Sequence, residues 1–85
     1  MISKGTRIQK CCSAESDGHK DGDQGTVVDI IPIPESEKLL LLASIRSNTN
    51  IAQPDKDYQP ECGYFVKWDD FNIPVFVSDY RIKPL

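Results

Sequence analysis

The chain has 85 residues, of which 39% are hydrophobic, and its formal net charge is −3. That length predicts one domain, near the lower limit at which a single hydrophobic core suffices. The acidic balance disfavours binding to a phosphate backbone, and the longest uninterrupted apolar run, residues 39–43, is far too short to span a membrane.

Two strands are expected in the first part of the chain, separated by a loop. Residues 6–11 and 26–31 carry the β-branched and apolar residues typical of strands. Residues 13–24 between them are polar and contain glycines that suit turns. The prolines that follow residue 31 end the second strand, because proline cannot donate a hydrogen bond to a sheet.

The second strand is apolar on both of its faces. Strict alternation places Val28 and Ile30 on one face and Val27 and Ile31 on the other. A strand of a simple barrel needs only its inner face to be apolar. We therefore expect either an inserted segment or a neighbouring subunit to cover the outer face.

The segment after this strand is rich in helix-forming residues. We expect a short helix over residues 36–46, with Ser36 as its N-cap and Asn48 at its end. The alternative is a strand turned back over residues 34–37, since four consecutive leucines fit no single periodicity. The segment belongs to an insert of residues 32–61, whose second half predicts a long exposed loop.

The last part of the chain predicts three more strands. Residues 63–70 form the first of them, with alternate residues sharing a face. A turn leads into a strand over residues 75–78, and residues 79–81 suit one tight 3₁₀ turn. Residues 82–85 complete the sheet as the fifth strand.

This order of elements resembles that of the SH3-like small β-barrels, which also have a long first loop and a short turn before the last strand. Within that group, residues 4–8, 23–28 and 64–69 are similar to the three motifs of KOW-type and related barrels. The resemblance implies an all-β fold: a single five-stranded SH3-like barrel over residues 1–85, with an inserted loop carrying one short α-helix. Such a fold does not specify an activity.

The layout is also similar to that of the type II dihydrofolate reductases, short SH3-like barrels that act as tetramers around a shared pore. The pore-lining segment of that family contains Gln and Tyr, whereas the matching residues here, 75–78, contain neither. This resemblance implies, as one alternative, an enzyme whose site forms between subunits. A nucleic-acid-binding barrel of the KOW kind is another, which the acidic balance disfavours.

Aromatic residues near the strand ends predict the sharpest binding site. In many SH3-like and Tudor-like barrels such positions line a ligand groove, and carboxylates at its rim would suit a cationic or extended peptide. The competing interpretation is that these aromatics form the core of a small domain. The candidate ligand-binding residues are Trp68, Asp69, Phe71, Phe76, Asp79 and Tyr80.

Metal and catalytic sites are not predicted. Residues 17–23 are similar to a calcium loop, but the twelfth position counted from Asp17 is Val28 rather than a glutamate. The single His19 and the three cysteines lack the paired spacing of a zinc knuckle. No nucleophile lies in a catalytic elbow. We therefore expect no cofactor and no enzymatic activity.

The cysteines and the apolar residues predict where the protein is found and whether it self-associates. An odd number of cysteines in a chain without a visible signal segment predicts free thiols and a cytoplasmic protein. The two-faced second strand, Phe65, Phe76 and the leucine run predict self-association. We expect a non-catalytic module that binds a protein or peptide as a homo-oligomer, in a bacterial or phage accessory protein of the kind carried on mobile gene cassettes.

Overall fold

A computed structural model describes all 85 residues, from Met1 to Leu85. The predicted strands are present, and residues 36–46 lie in a helix rather than in a strand. The elements in chain order are β1 (Arg7–Lys10), β2 (Gln24–Pro32), α1 (Glu35–Ser47), β3 (Cys62–Trp68), β4 (Val75–Ser78), a 3₁₀ turn (Asp79–Arg81) and β5 (Ile82–Pro84).

The five strands form one antiparallel sheet in the order β4-β3-β2-β1-β5. The two edge strands are consecutive in the chain, and the step from Ser78 to Ile82 spans at most about 14 Å. In a flat sheet the two edges of five strands lie about 19 Å apart. The sheet must therefore curl around its inner face, although β4 and β5 do not pair and the sheet stays open.

The core fills the inner face of this curled sheet. Alternate residues of β3, from Cys62 to Trp68, are almost fully buried. They pack against one inward residue from each of the other strands, so all five strands share one core. The cluster consists of Ile8, Val27, Cys62, Tyr64, Val66, Trp68, Val77 and Ile82.

A β-bulge in β2 corrects the predicted faces of that strand. The register with β3 shifts between Val27 and Asp29, so the alternation moves by one residue at this point. As a result Val27 and Ile30 both pack toward the core, whereas Val28 and Ile31 face outward. The strict alternation that pairs Val28 with Ile30 is therefore wrong, because one residue is inserted without a partner.

The helix α1 projects from the sheet with little packing of its own. It begins at Glu35 after Pro34 in the capping position, so the predicted N-cap at Ser36 is wrong by two residues, and it ends at Asn48 as predicted. Pro34 has the extended backbone that suits the entry to a helix. Ile45 is its only buried residue. No helix in this protein has the length and apolar character needed to cross a bilayer.

The segment between α1 and β3 is more firmly attached than the sequence predicts. Pro60 is fully buried in a stretch expected to be exposed. The Asp79 carboxylate holds this segment, since it accepts a hydrogen bond from the Tyr58 hydroxyl and another, at 3.1 Å, from the Glu61 amide. The polar connection thus folds back onto the 3₁₀ turn beside β4.

Candidate binding cleft

A cleft of about 240 Å³ lies between β4 and the loop that follows β1. Residues 75–78 of β4 line it together with Gly18 and His19 of the loop, and Lys10, Asp17, Trp68 and Arg81 complete the lining. A larger hollow of about 720 Å³ lies between residues 13–16 and 49–52, but no aromatic or cationic residue lines it. The smaller cleft is therefore the better candidate for a binding site.

The strand that borders the cleft is an edge of the sheet. Residues of β4 pair with β3 along one side, from Val75 opposite Val66 to Ser78 opposite Gly63. No backbone hydrogen bond outside the regular elements involves residues 75–78. The outward amide and carbonyl groups of β4 are therefore unpaired, which is the property that lets an edge strand accept another strand.

A cluster of three charged groups lies on the other side of the cleft. Asp17 Oδ2 accepts hydrogen bonds from Lys10 Nζ, at 3.3 Å, and from Arg81 Nη2. All three side chains are largely shielded, and Lys10 is only 5% exposed. Two cations thus share one carboxylate, and the cluster carries a net positive charge within an acidic protein.

The ionisation of Asp17 reflects these contacts. Partial burial alone would raise the pKa of Asp17, but hydrogen bonds from Arg81 and the Ala14 amide outweigh burial and lower the pKa to about 2. The carboxylate is therefore charged throughout the physiological pH range. Its negative charge offsets the desolvation cost of placing Lys10 and Arg81 in shielded positions.

His19 covers the only tryptophan of the chain. Its ring stacks on Trp68 with the ring centroids 4.5 Å apart and an angle of 17° between planes. Its Nε2 lies 3.0 Å from Asp70 Oδ1, and Phe71 meets the ring edge-on at 6.2 Å. The imidazole is thus held by its stacking on Trp68, which borders the cleft, and by its polar contact with Asp70.

Two donors among the lining residues have no acceptor. Trp68 Nε1 and Arg81 Nε are both buried, and neither makes a hydrogen bond. Buried polar groups in proteins are nearly always paired, so each such exception calls for an explanation. The lining residues of the cleft thus hold two buried N–H donors without an acceptor, beside a cluster of net positive charge.

The predicted aromatic residues lie in several places. Trp68 belongs to the core and is 1% exposed, although it also lines the cleft. The ring of Phe76 is 52% exposed and lies on the outer face of the sheet, where it meets Phe65 edge-on at 5.8 Å and covers Gly63. Phe71 is exposed beside His19 at the rim.

The remaining predicted residues lie away from the cleft. Asp69 forms a bidentate ion pair with Arg7, with N–O distances of 2.6 and 2.7 Å. Asp79 accepts a hydrogen bond from the Tyr58 hydroxyl, and the ring of Tyr80 packs edge-on against that of Tyr58 with the centroids 5.1 Å apart. The predicted residues therefore do not form one site: they divide between the cleft, its rim, the outer face of the sheet and contacts elsewhere.

Sequence reasoning did not select the charged lining of the cleft. Lys10 follows Ile8 by two residues, and that spacing alone places both side chains on the inner face of β1. The pairing of Asp17 with Arg81 joins residues 64 positions apart and leaves no local signal. Nowhere do three or more His, Cys, Asp or Glu side chains converge as a metal site would require.

The three cysteines are free thiols and lie outside the cleft. Cys62 is buried in the core, whereas Cys12 is exposed after the end of β1.

The chain resembles no known protein closely enough to match: no family model, no curated protein and no solved structure matches it.

Proposed function

We propose that this protein is a non-catalytic interaction module that binds an extended peptide along β4, beside the cleft. The observation that carries the proposal is the unpaired outward edge of β4, which forms one side of a cleft lined by Trp68 and His19. An extended peptide that adds a strand to such an edge gains main-chain hydrogen bonds, and the neighbouring pocket selects its side chains.

The two edges of the sheet differ in a way that favours β4. The other edge strand, β5, has three residues and ends at Pro84, which has no amide hydrogen to offer a partner. β4 has four residues and no proline, and it exposes the ring of Phe76 next to its edge. An incoming strand would therefore find, at β4, hydrogen-bonding groups uninterrupted by proline beside an exposed aromatic ring.

The polar groups around the cleft support a binding role rather than catalysis. His19 is engaged with Asp70 and Trp68, and Asp17 is engaged with Lys10 and Arg81. A catalytic base or nucleophile needs a lone pair that is free to reach a substrate. The groups of this cleft instead hold the loop against the sheet.

We also infer that the curled sheet is an SH3-like barrel left open between β4 and β5. The strand order and the single 3₁₀ turn between the last two strands support this interpretation. Asp17 of the first loop contacts Arg81 of that turn. A groove between them is a common position for ligands in small barrels.

The peptide proposal can be tested by selection from a random peptide library displayed on phage, followed by anisotropy with the recovered peptides. Phe76→Lys places a charge on the outer side of the edge strand, and we expect it to weaken binding at least about tenfold. Ile73→Lys is the matched control, because Ile73 is also more than half exposed but lies outside β4. Failure to enrich any sequence, or equal effects of both variants, would contradict the proposal.

A further inference from the structure

The cleft beside β4 has an excess of hydrogen-bond donors that its own acceptors do not satisfy. Lys10 Nζ already has three partners, each at 3.3 Å: the Cys11 carbonyl, the Ser13 hydroxyl and Asp17. Arg81 uses Nη2 on Asp17, but its Nε is buried without an acceptor. Trp68 Nε1 is in the same state.

We propose that this cleft is a carboxylate-binding site, in which a ligand carboxylate accepts hydrogen bonds from Arg81 Nε and Trp68 Nε1. The inference rests on the proposed function and names the chemistry of the peptide that binds there. The carboxylate is either the C-terminus of that peptide or an Asp or Glu side chain. Guanidinium and indole N–H groups are both donors without acceptor capacity, so only an acceptor can satisfy them.

The charges around the cleft favour an anion over a neutral acceptor. Lys10 and Arg81 contribute two positive charges, and Asp17 neutralises only one of them. Asp21 interacts with Lys10 from outside the lining of the cleft, where it accepts a hydrogen bond from the Ser13 amide. Asp70 is engaged by His19 and largely exposed to solvent. A carboxylate next to the shielded cations would form charge-assisted hydrogen bonds, which are stronger than neutral ones.

Access to the donors depends on His19. Trp68 is covered by the stacked imidazole, whose single polar side-chain contact is to the exposed Asp70. Rotation of His19 away from the indole would open the cleft toward Trp68 Nε1. We therefore expect His19→Ala to bind a carboxylate at least as tightly as the wild-type protein does.

The chain offers a direct probe, because its single tryptophan gives a single indole N–H signal in a ¹H–¹⁵N spectrum. Acetate serves as the probe and acetamide, which has the same shape without the charge, as its control. We expect acetate to shift the Trp68 indole signal downfield and saturably, with a dissociation constant in the millimolar range. Acetamide should leave the signal in place, as should chloride at the same ionic strength.

Two variants test the role of Arg81. Arg81→Lys keeps a cation beside Asp17 but removes Nε–H, and we expect it to weaken acetate binding about tenfold, as one hydrogen bond to a charged group predicts. Arg46→Lys is the control. Arg46 donates hydrogen bonds to backbone carbonyls in the segment that follows α1, and it lies outside the cleft. Both variants must keep the wild-type circular dichroism. Equal affinities in the three proteins would overturn the inference.

A peptide arm separates the two sources of the carboxylate and separates this inference from the proposed function. The probes are a capped valine–threonine tetrapeptide as the free acid, as the C-terminal amide, and as the amide with one internal glutamate. Preference for the free acid assigns the site to a C-terminus, and preference for the glutamate peptide assigns it to a side chain. Equal binding of all three peptides overturns the inference but is compatible with the proposed peptide binding. Binding of acetate without binding of any peptide supports the carboxylate site and contradicts the proposed function.

Discussion

At the scale of single residues, Asp17 connects three parts of the chain. Its Oδ2 accepts hydrogen bonds from the Ala14 amide in the first loop, from Lys10 in β1 and from Arg81 in the 3₁₀ turn. Removing one partner of a shielded ion pair is more damaging than removing an exposed one, because the remaining charge stays desolvated. Asp17 is thus the residue whose charge fixes the loop to the sheet.

Asp17→Asn should destabilise the protein by about 1–3 kcal/mol, because the shielded cations lose their counter-charge. The effect must depend on pH. The pKa of Asp17 is lowered in the folded state, so its contribution is complete above 3.8, the usual value, and is lost as the pH falls toward 2. Urea unfolding, followed by Trp68 fluorescence between pH 7 and pH 2, measures both effects.

Glu15→Gln is the control for this experiment, because Glu15 lies in the same loop and its side chain is exposed without a hydrogen bond. We expect its stability to follow that of the wild-type protein at every pH. If Asp17→Asn also retains the full acid-dependent loss of stability, Asp17 is not the group responsible.

At the scale of elements, two glycines show how closely neighbouring strands approach one another. A Cβ on Gly25 would lie 2.8 Å from the Lys67 carbonyl oxygen and 2.8 Å from Val66 Cγ1, both in β3. A Cβ on Gly63 would instead meet the ring of Phe76. The first obstacle is backbone and buried core, whereas the second is a half-exposed ring that can turn away into solvent.

Gly25→Ala should therefore destabilise the protein by about 2–3 kcal/mol, because neither β3 nor the buried Val66 can move without strain. Gly63→Ala should cost less, about 1 kcal/mol, since it only displaces Phe76 from Phe65. The two variants introduce the same methyl group into neighbouring strands, so each is the control of the other. Chemical denaturation measures the difference, and equal losses would show that β2 and β3 can separate locally.

Much of the element order follows from the sequence, because local signals determine it. The limits of β4 and the 3₁₀ turn are confirmed to the residue, since Pro74 and the Asp79-Tyr80-Arg81 step mark them. The helix is confirmed, although it starts earlier than Ser36. The faces of β2 are wrong beyond Val27, because no local signal in this strand announces the bulge.

The cleft is much less visible in the sequence than the strands are. His19 lies in a polar loop, and nothing nearby indicates that its ring stacks on Trp68, which is 49 positions later in the chain. The pairing of Lys10 and Arg81 with Asp17 depends on how the loop folds over the open side of the sheet. Such contacts are decided by tertiary structure, which a single sequence does not encode in its spacing.

At the scale of the whole molecule, the surface carries more apolar area than one small domain needs. Leu39 and Leu40 of α1 are 77% and 72% exposed, and Ile73 and Phe76 add to the apolar surface. Exposed apolar surface of this extent is typical of proteins that associate, because burial stabilises by about 25 cal/mol per Å². We propose that α1 mediates contact with a second copy of the chain.

Light scattering after size exclusion should give the mass of a dimer or larger assembly at high micromolar concentration. The double variant Leu39→Glu with Leu40→Glu should give the mass of a single chain, because it places two charges in the contact. Ser44→Glu, an exposed change in the same helix, should keep the wild-type mass. A wild-type protein that runs as a monomer would contradict the proposal.

The pairing of β1 with β5 has a consequence for how the chain acquires its structure during synthesis. Residues 8–10 find their partners at 82–84, so one neighbour of the first strand is translated long after the strand itself. A nascent chain that stops before residue 82 exposes an open edge at β1 and leaves the core without Ile82. Folding therefore depends on joining two strands that are distant in sequence, and such long-range pairing slows folding relative to local pairing.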